Sequence, residues 1–330
     1  MLAFIAATLA RSGLLHPQES ESREIKELGG LWNFRADPGT GMRDRWQESG
    51  VPPPTQYMPV PSSYNDLTQD QHLREHVGIV WYERTTFLPL HWMTQRVVLF
   101  VGSANHHAVV WLNGKFLGEH EGGHLPFHLP LDPLHAQFGR SNRLTIALNN
   151  TLSTTTIPPG FVQVNAAGRR IQRLQMDFFH YAGLHRQVLL YTTPAVGYLD
   201  DILLNCRLDG ATAHLNVFVS AVSAPSPPPP PDAAADEAAA SEATVLITLK
   251  DKADRVVARG RMPSDPRRGG RLQVHDSQLW WPRSPLISTD LPESPEAAGA
   301  RRAALVAEVH VRVARVSLRD RHRTFPTAFH

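Results

Sequence analysis

Two short stretches combine histidine with carboxylate side chains, which are the residue types that hold metal ions or move protons. In the first, Glu119, His120, Glu121 and His124 lie within six residues. On one extended strand His120 and His124 would share a face, because side chains alternate with a period of two, and such a pair suits zinc. The two glycines between them disturb the strand register, so we predict no metal site here.

The second stretch is DFFHYAGLHR at 177–186, in which His180 and His185 flank an Ala-Gly turn. We interpret both histidines as hydrogen-bonded loop residues rather than a catalytic pair. One interpretation of the whole stretch is a packed loop in which Asp177 caps a turn. On that interpretation three aromatic residues lie in the core: Phe178, Phe179 and Tyr181.

Five other aromatic residues are candidates for stacking on sugar rings: Trp81, Tyr82, Trp111, Trp280 and Trp281. They alternate with aliphatic residues, which favours core packing instead. The sequence has no Gly-x-Ser-x-Gly elbow, phosphate loop or Cys-x-x-Cys pair, so it offers no support for serine hydrolase, nucleotide-binding or zinc-module functions. We expect no cofactor.

Charge and cysteine content exclude further classes. The net charge is +2 and charged residues make up 19% of the 330 residues. Because they are scattered, we expect neither a nucleic acid nor a membrane as partner. The one cysteine, Cys206, excludes an internal disulfide framework.

The elements that must position these residues are strands. Short alternating apolar runs separated by Gly, Pro, Asn and Asp dominate from residue 25 onward, and no helical periodicity spans three turns between residues 25 and 200. The clearest element is a hairpin at Asn113 and Gly114, since both residues tolerate the positive φ of a type I′ turn. We predict an all-β fold that opens with a jelly-roll sandwich over residues 25–198.

A second alternating series predicts an immunoglobulin-like sandwich over residues 199–316. Inside it, the Pro-rich and then Ala-rich segment 223–243 predicts a disordered insertion, because it cannot bury enough apolar surface. Residues 317–330 form a divergent tail. At the other end, residues 1–24 resemble a weak leader, and Asn149 opens an Asn-Asn-Thr sequon that becomes a glycosylation site in the secretory pathway.

Several stretches, read in order, resemble the β-glucuronidases of glycoside hydrolase family two. They are YMPVPSSYND at 57–66, VWYER at 80–84, VWLNG at 110–114, EHEGGHLPF at 119–127, LNNTL at 148–152 and MDFFHYAGLHRQVLLYTTP at 176–194. The resemblance implies a sugar-binding jelly roll, an immunoglobulin-like domain and a barrel that holds the active site. It also implies that Asp177 accepts hydrogen bonds from glucuronate hydroxyls as a substrate-binding residue.

The catalytic part of that family is expected to be missing from these residues. A (β/α)8 barrel needs about 250 residues, whereas 14 residues follow Val316. Retaining hydrolysis needs two carboxylates about 5 to 5.5 Å apart, and the Asn-Glu pair that carries the family's acid does not occur. We therefore assign no catalytic residue and expect the isolated chain to be inactive.

The resemblance implies removal of terminal β-glucuronic acid from glycosaminoglycans or glucuronides as the activity of the complete family member. The alternative is a non-catalytic product that binds carbohydrate or associates with full-length subunits, since family members assemble as oligomers. An incomplete gene product is the third option. The lysosome is the expected compartment, with secretion or the cytoplasm as alternatives.

Overall fold

The computed structural model describes residues 16–222, 244–250, 255–263, 269–275, 277, 306–312 and 321–324. The chain divides into two compact units, with the division between Thr192 and Thr193. The described residues before Ile25 belong to the second unit. The predicted boundaries at 24/25 and 198/199 stay predictions, and the predicted insertion 223–243 lies outside the described residues.

The described residues of the first unit form twelve strands, the last of which ends two residues beyond the unit. They are β1 (Ile25–Glu27), β2 (Gly30–Ala36), β3 (Gln56–Val60), β4 (Ile79–Leu88), β5 (Gln95–Val101), β6 (His107–Leu112), β7 (Lys115–Glu121), β8 (Phe127–Pro130), β9 (Arg140–Asn149), β10 (Gly160–Val164), β11 (Arg170–Leu174) and β12 (Val188–Pro194). Its helices are α1 (Trp46–Ser49), α2 (Tyr64–Leu67), α3 (Gln71–Arg74) and a 3-10 turn at Leu90–Thr94. Among the described residues, no helix has the length and hydropathy that a membrane span requires.

Two sheets enclose the main core of this unit. One has the strand order β3-β2-β4-β9-β6-β7 and the other β1-β12-β5-β8, while β10 and β11 form a separate hairpin. Alternate residues of β2, β4 and β9 meet those of β5, β8 and β12 in one buried cluster, because period-two alternation turns every second side chain inward. The all-β fold class is thus confirmed.

The predicted hairpin is confirmed between β6 and β7. Asn113 has φ 51° and Gly114 has φ 80°, so both central residues adopt the left-handed conformation that a type I′ turn requires. The Asn113 side chain stabilises this end of the sheet as well. Its Nδ2 donates to His135 O at 2.9 Å, and its Oδ1 accepts from Arg143 N at 2.9 Å.

The second unit contains two further sheets. Its strands are β13 (Tyr198–Asp209), β14 (Thr212–Val222), β15 (Thr244–Lys250), β16 (Val256–Pro263), β17 (Gly270–Val274), β18 (Val306–Arg312) and β19 (Arg321–Thr324). The sheet orders are β13-β14-β17 and β16-β15-β18-β19, with alternating residues of β14, β15 and β17 in a shared core. Strand β19 lies within the segment predicted as a divergent tail. An immunoglobulin-like topology for this unit stays a prediction.

Part of the predicted leader is folded. In residues 16–24 the Arg23 side chain is buried, and its Nη2 donates to Leu199 O at 2.8 Å. A buried guanidinium is costly without such partners, so this segment contributes to the stability of the second unit. Residues 1–15 of the predicted leader lie outside the described residues.

Candidate functional site

Asp177 lies at an exposed bend between β11 and β12. Residues 175–186, here called the Asp177 loop, leave the end of the β10–β11 hairpin and lead into β12. The Asp177 carboxylate has no hydrogen-bond or ion-pair partner among the described residues, and Phe178 N donates to Met176 O at 2.9 Å to form the bend. The carboxylate oxygens are therefore open acceptors.

The three aromatic residues of the loop are at the surface, so the alternative interpretation that packs them in the core is wrong. Phe178, Phe179 and Tyr181 are 42%, 43% and 40% exposed. The core at this end is filled instead by Ala182 and Leu184, which are fully buried. The Phe179 and Tyr181 ring centroids are 4.7 Å apart, and those of Phe178 and Tyr181 are 6.3 Å apart. We call these three residues the aromatic rim.

The base of the loop is fixed by two asparagine side chains from distant segments. Asn65 Nδ2 donates to His180 O at 2.7 Å, and Asn65 Oδ1 accepts from Ala182 N at 3.0 Å. Asn105 Nδ2 donates to Tyr181 O at 2.9 Å. Backbone groups of three consecutive loop residues, 180–182, thus have side-chain partners, which holds the rim and Asp177 in one place.

Gly183 allows the loop to pack closely on the sheet. Its φ is +120°, and a Cβ built there would lie 2.8 Å from Tyr82 Oη and 3.0 Å from Ser62 O. Ser62 N donates to Leu184 O at 2.9 Å on the same side. Only glycine accommodates both this backbone conformation and this approach.

His180 is a buried structural partner, as predicted for a hydrogen-bonded loop residue. Its Nε2 lies 3.0 Å from Asn150 O, and its ring stacks on His106 with centroids 4.9 Å apart. Burial lowers the pKa of His180 to about 4 and that of His106 to about 3. Both rings are therefore neutral at pH 7.

His185 closes the loop from the other end. A ring nitrogen lies 3.1 Å from Ser103 Oγ, which itself donates to Gly123 O. Burial lowers the pKa of His185, and the nearby cation of Arg186 lowers it further. The two histidines face different partners, Asn150 and Ser103, so they do not form the pair that acid–base catalysis would need.

The stretch considered for metal binding is divided by the fold. His120 of β7 stacks on Phe127 of β8 with ring centroids 4.5 Å apart. His124 lies beyond β7, and its ring centroid is 5.9 Å from that of Phe178. Glu119 and Glu121 remain on the strand. Within the described ranges no group of three or more metal-ligand side chains could hold an ion.

Aromatic residues considered for sugar stacking are buried where the structure describes them. Trp81, Tyr82 and Trp111 are at most 7% exposed, and Trp81 stacks on Trp111 with centroids 5.7 Å apart. Trp81 Nε1 also donates to Asp37 at 2.8 Å. Trp280 and Trp281 lie outside the described residues.

Asn149, the sequon residue, is the last residue of β9 and is half-buried. Its Oδ1 accepts from Thr151 N at 3.0 Å, an Asx-type turn. Asn150 next to it is buried and bonds to Tyr64 Oη, His76 O and Gly78 N. The two adjacent asparagines therefore have different environments.

The arrangement around Asp177 suits recognition of a hydroxyl-rich ligand. An open carboxylate accepts hydrogen bonds from hydroxyls, and exposed rings present apolar faces beside it. Sequence reasoning did not identify Asn65, Asn105 or His106 as the residues that hold this loop. The SYND motif at 63–66 contains Asn65, but its partner lies more than 100 residues away and only the fold shows the pairing.

Comparison with known proteins identifies this unit. Residues 25–194 match the family "Glycosyl hydrolases family 2, sugar binding domain". The β-glucuronidase of Sus scrofa is 43% identical over 296 residues, covering 83% of this chain and 41% of that protein. The human β-glucuronidase is 41% identical over 293 residues, covering 82% and 41%.

Solved structures agree with this similarity. The β-glucuronidase of Ruminococcus gnavus in complex with D-glucuronic acid superimposes with a TM-score of 0.76 at 26% identity, over 95% of this chain and 47% of that chain. The chain spans about two fifths of the length of the curated relatives it matches. The chain belongs to glycosyl hydrolase family 2, where its sequence corresponds to the N-terminal region of the β-glucuronidases.

Proposed function

We propose that this chain supplies the sugar-contacting accessory region of a β-glucuronidase, with Asp177 as its substrate-binding residue. The exposed carboxylate of Asp177 carries the proposal, because it has no partner among the described residues and both oxygens can accept hydrogen bonds from a ligand. Glucuronate hydroxyls donate hydrogen bonds of that kind. The substrates would be glucuronides or glycosaminoglycans that end in β-glucuronic acid.

The fixed base of the Asp177 loop supports this role. Asn65 and Asn105 bond to backbone groups of the loop, so the carboxylate is held before any ligand arrives. A preorganised acceptor avoids the ordering cost that a mobile loop would add to binding. The aromatic rim beside it would pack against the sugar or against the catalytic part of a complete enzyme.

Kinetics of a full-length relative test the assignment. Replacing the aspartate aligned with Asp177 by alanine removes a charge-assisted hydrogen bond of roughly 1.5 to 3 kcal/mol, so kcat/KM should fall about 10- to 150-fold. The matched control replaces the residue aligned with Asp66, an exposed aspartate of the same unit. Equal kinetics for the Asp177-type variant and the parent would remove the assignment.

Catalysis itself is proposed to come from carboxylates outside these 330 residues. The described residues form strands and single-turn helices, and one carboxylate such as Asp177 cannot both protonate a leaving group and attack the sugar. We therefore expect no β-glucuronidase activity from the 330-residue chain alone.

A second candidate function is association with full-length subunits, favoured by the exposed aromatic rim. Large exposed aromatic groups commonly mark interaction surfaces. Gel filtration of the chain with and without a full-length relative tests it. Co-elution would support association, whereas separate elution at micromolar concentrations would oppose it.

We propose the lysosome as the compartment and Asn149 as a glycosylation site. The sequon and the Asx-type turn at Asn149 support the modification, since the turn uses Oδ1 and Nδ2 has no hydrogen-bond partner among the described residues. Expression in secretory cells followed by glycosidase treatment should shift the mass of the chain but not that of Asn149→Gln. Equal masses before and after treatment would refute the glycosylation.

A further inference from the structure

Four histidines surround the base of the Asp177 loop. His106 and His180 are buried and stacked, with an interplanar angle of 17°. His124 contacts the rim at Phe178, and His185 lies 5.9 Å from the Tyr181 ring. The proposed sugar contact uses none of these four side chains.

The stacked pair has two nitrogens with no hydrogen-bond partner in the described part of the chain, His106 Nε2 and His180 Nδ1. His180 Nε2 faces Asn150 O, a pure acceptor, so that nitrogen carries the proton in the neutral ring. A second proton would therefore have to enter at His180 Nδ1, where it would find no acceptor. It would also place a cation against the His106 ring.

Neighbouring histidines also oppose protonation of the stacked pair, through electrostatic repulsion. His180 and His124 lower the pKa of His106 in this way. His124 and His185 lower the pKa of His180. Asn150, the residue after β9, has the opposite effect: its carbonyl faces His180 Nε2 and raises the pKa of His180, but the lowering by burial is larger. Arg186 acts on His185 from the end of the loop.

We propose that the stacked His106–His180 pair is an acid-sensitive latch, which holds the Asp177 loop closed while both rings are neutral and releases it when they accept protons. Release would weaken sugar binding by this loop as the pH falls toward that of the lysosome, and this effect rests on the proposed function because it uses the same loop. Loop opening itself does not rest on it and is measured without sugar.

The sign of the pH dependence follows from the histidine pKa values in the open and closed states of the loop. An exposed histidine has a pKa near 6.5, whereas burial lowers the pKa of His180 to about 4 and that of His106 to about 3. The closed state is therefore fully favoured above about pH 6.5 and loses stability as the pH falls from there toward the lowered values. Between pH 7.5 and 5.5 the opening constant should rise about tenfold for each histidine that opening exposes, or about 100-fold for both.

Hydrogen exchange of the 330-residue chain at pH 7.5 and 5.5 tests the latch. The reporters are Ala182 N, which donates to Asn65, and Tyr64 N, which donates to Ala182 O. Protection is corrected for the intrinsic exchange rate at each pH. The central β9 amide of Ile146 reports global opening, and its change is subtracted.

Variants separate the latch from general acid sensitivity. His180→Gln keeps a donor for Asn150 O but cannot take up a proton, so the rise in opening should fall from about 100-fold to about tenfold. The double variant H106F/H180Q keeps a flat ring and should lose the part of the rise that the stacked pair contributes, leaving only the part from His185, whose pKa burial also lowers. The exposed His72 gives the matched control, H72Q, which should keep the full rise.

Two results would overturn the latch. One is a rise below about threefold in the unaltered chain, and the other is a full rise in H180Q. Because H180Q alone decides the second result, the test stands even where the double variant does not fold. Unchanged kinetics of the Asp177-type variant, together with pH-dependent opening of the loop, would reject the proposed function and leave the latch in place.

Discussion

Gly183→Ala should lower the unfolding free energy of the first unit more than a glycine-to-alanine change that causes backbone strain without a steric clash. The added Cβ would lie 2.8 Å from Tyr82 Oη, 3.0 Å from Ser62 O and 3.2 Å from Tyr64 Cδ1. Two of these neighbours are fully buried aromatic side chains and one is backbone, so none can move away easily. Overpacking of this kind costs about 1 to 3 kcal/mol.

Backbone strain adds to this steric effect. At φ +120° an alanine costs roughly 1 to 3 kcal/mol more than glycine, partly offset by about 0.4 to 1 kcal/mol from the less flexible unfolded chain. We expect the unfolding free energy of the first unit to fall by about 1 to 5.5 kcal/mol, with about 3 kcal/mol in the middle of that range. Urea unfolding followed by tryptophan fluorescence measures it, since five of the seven tryptophans lie in this unit.

Gly168→Ala is the matched control. Gly168 has φ +74° in an exposed turn, and a Cβ there would meet nothing within 4 Å. It therefore carries strain without a clash, and its cost should stay at about 1 kcal/mol. Equal losses for the two variants would refute the close approach of the Asp177 loop to the sheet.

Two further predictions concern single side chains. Burial alone would raise the pKa of Asp37, but hydrogen bonds from Trp81 and three backbone N–H groups lower it below its usual value of 3.8. Asp37→Asn should thus cost about 1 to 3 kcal/mol at pH 7 in urea unfolding. The difference from the parent should shrink as the pH falls through the lowered pKa, and a difference that grows there would contradict this sign. Asn65→Ala removes both of its hydrogen bonds to the Asp177 loop and should raise amide exchange in residues 177–186 while β9 stays protected; unchanged exchange there would show that the loop does not depend on Asn65.

Local sequence patterns predict the strands because the alternation of buried and exposed side chains is set within each strand. The period-two runs containing Trp32, Leu99 and Ile146 mark inward faces, and all three residues are fully buried. The turn at Asn113 follows equally from two adjacent residues. Apolar alternation does not predict the strands β13 and β16, because polar residues interrupt the pattern in both.

The candidate site was less predictable because it depends on contacts between distant segments. The rim residue Phe178 belongs to an aromatic run, and one of the two interpretations of the sequence packs that run in the core. The fold leaves it outside, since the smaller Ala182 and Leu184 already fill the space between the sheets. The His106–His180 stack joins residues 74 positions apart, which no local pattern indicates.

The central proposal is that these 330 residues contact the sugar and that the catalytic carboxylates lie outside them. An activity measurement on the purified 330-residue chain tests it most directly. With a chromogenic β-glucuronide at millimolar concentration, the claim predicts product formation no faster than in buffer. Saturable turnover by the chain that survives Asp177→Ala would contradict it, because an acid and a nucleophile would then have to lie within these residues.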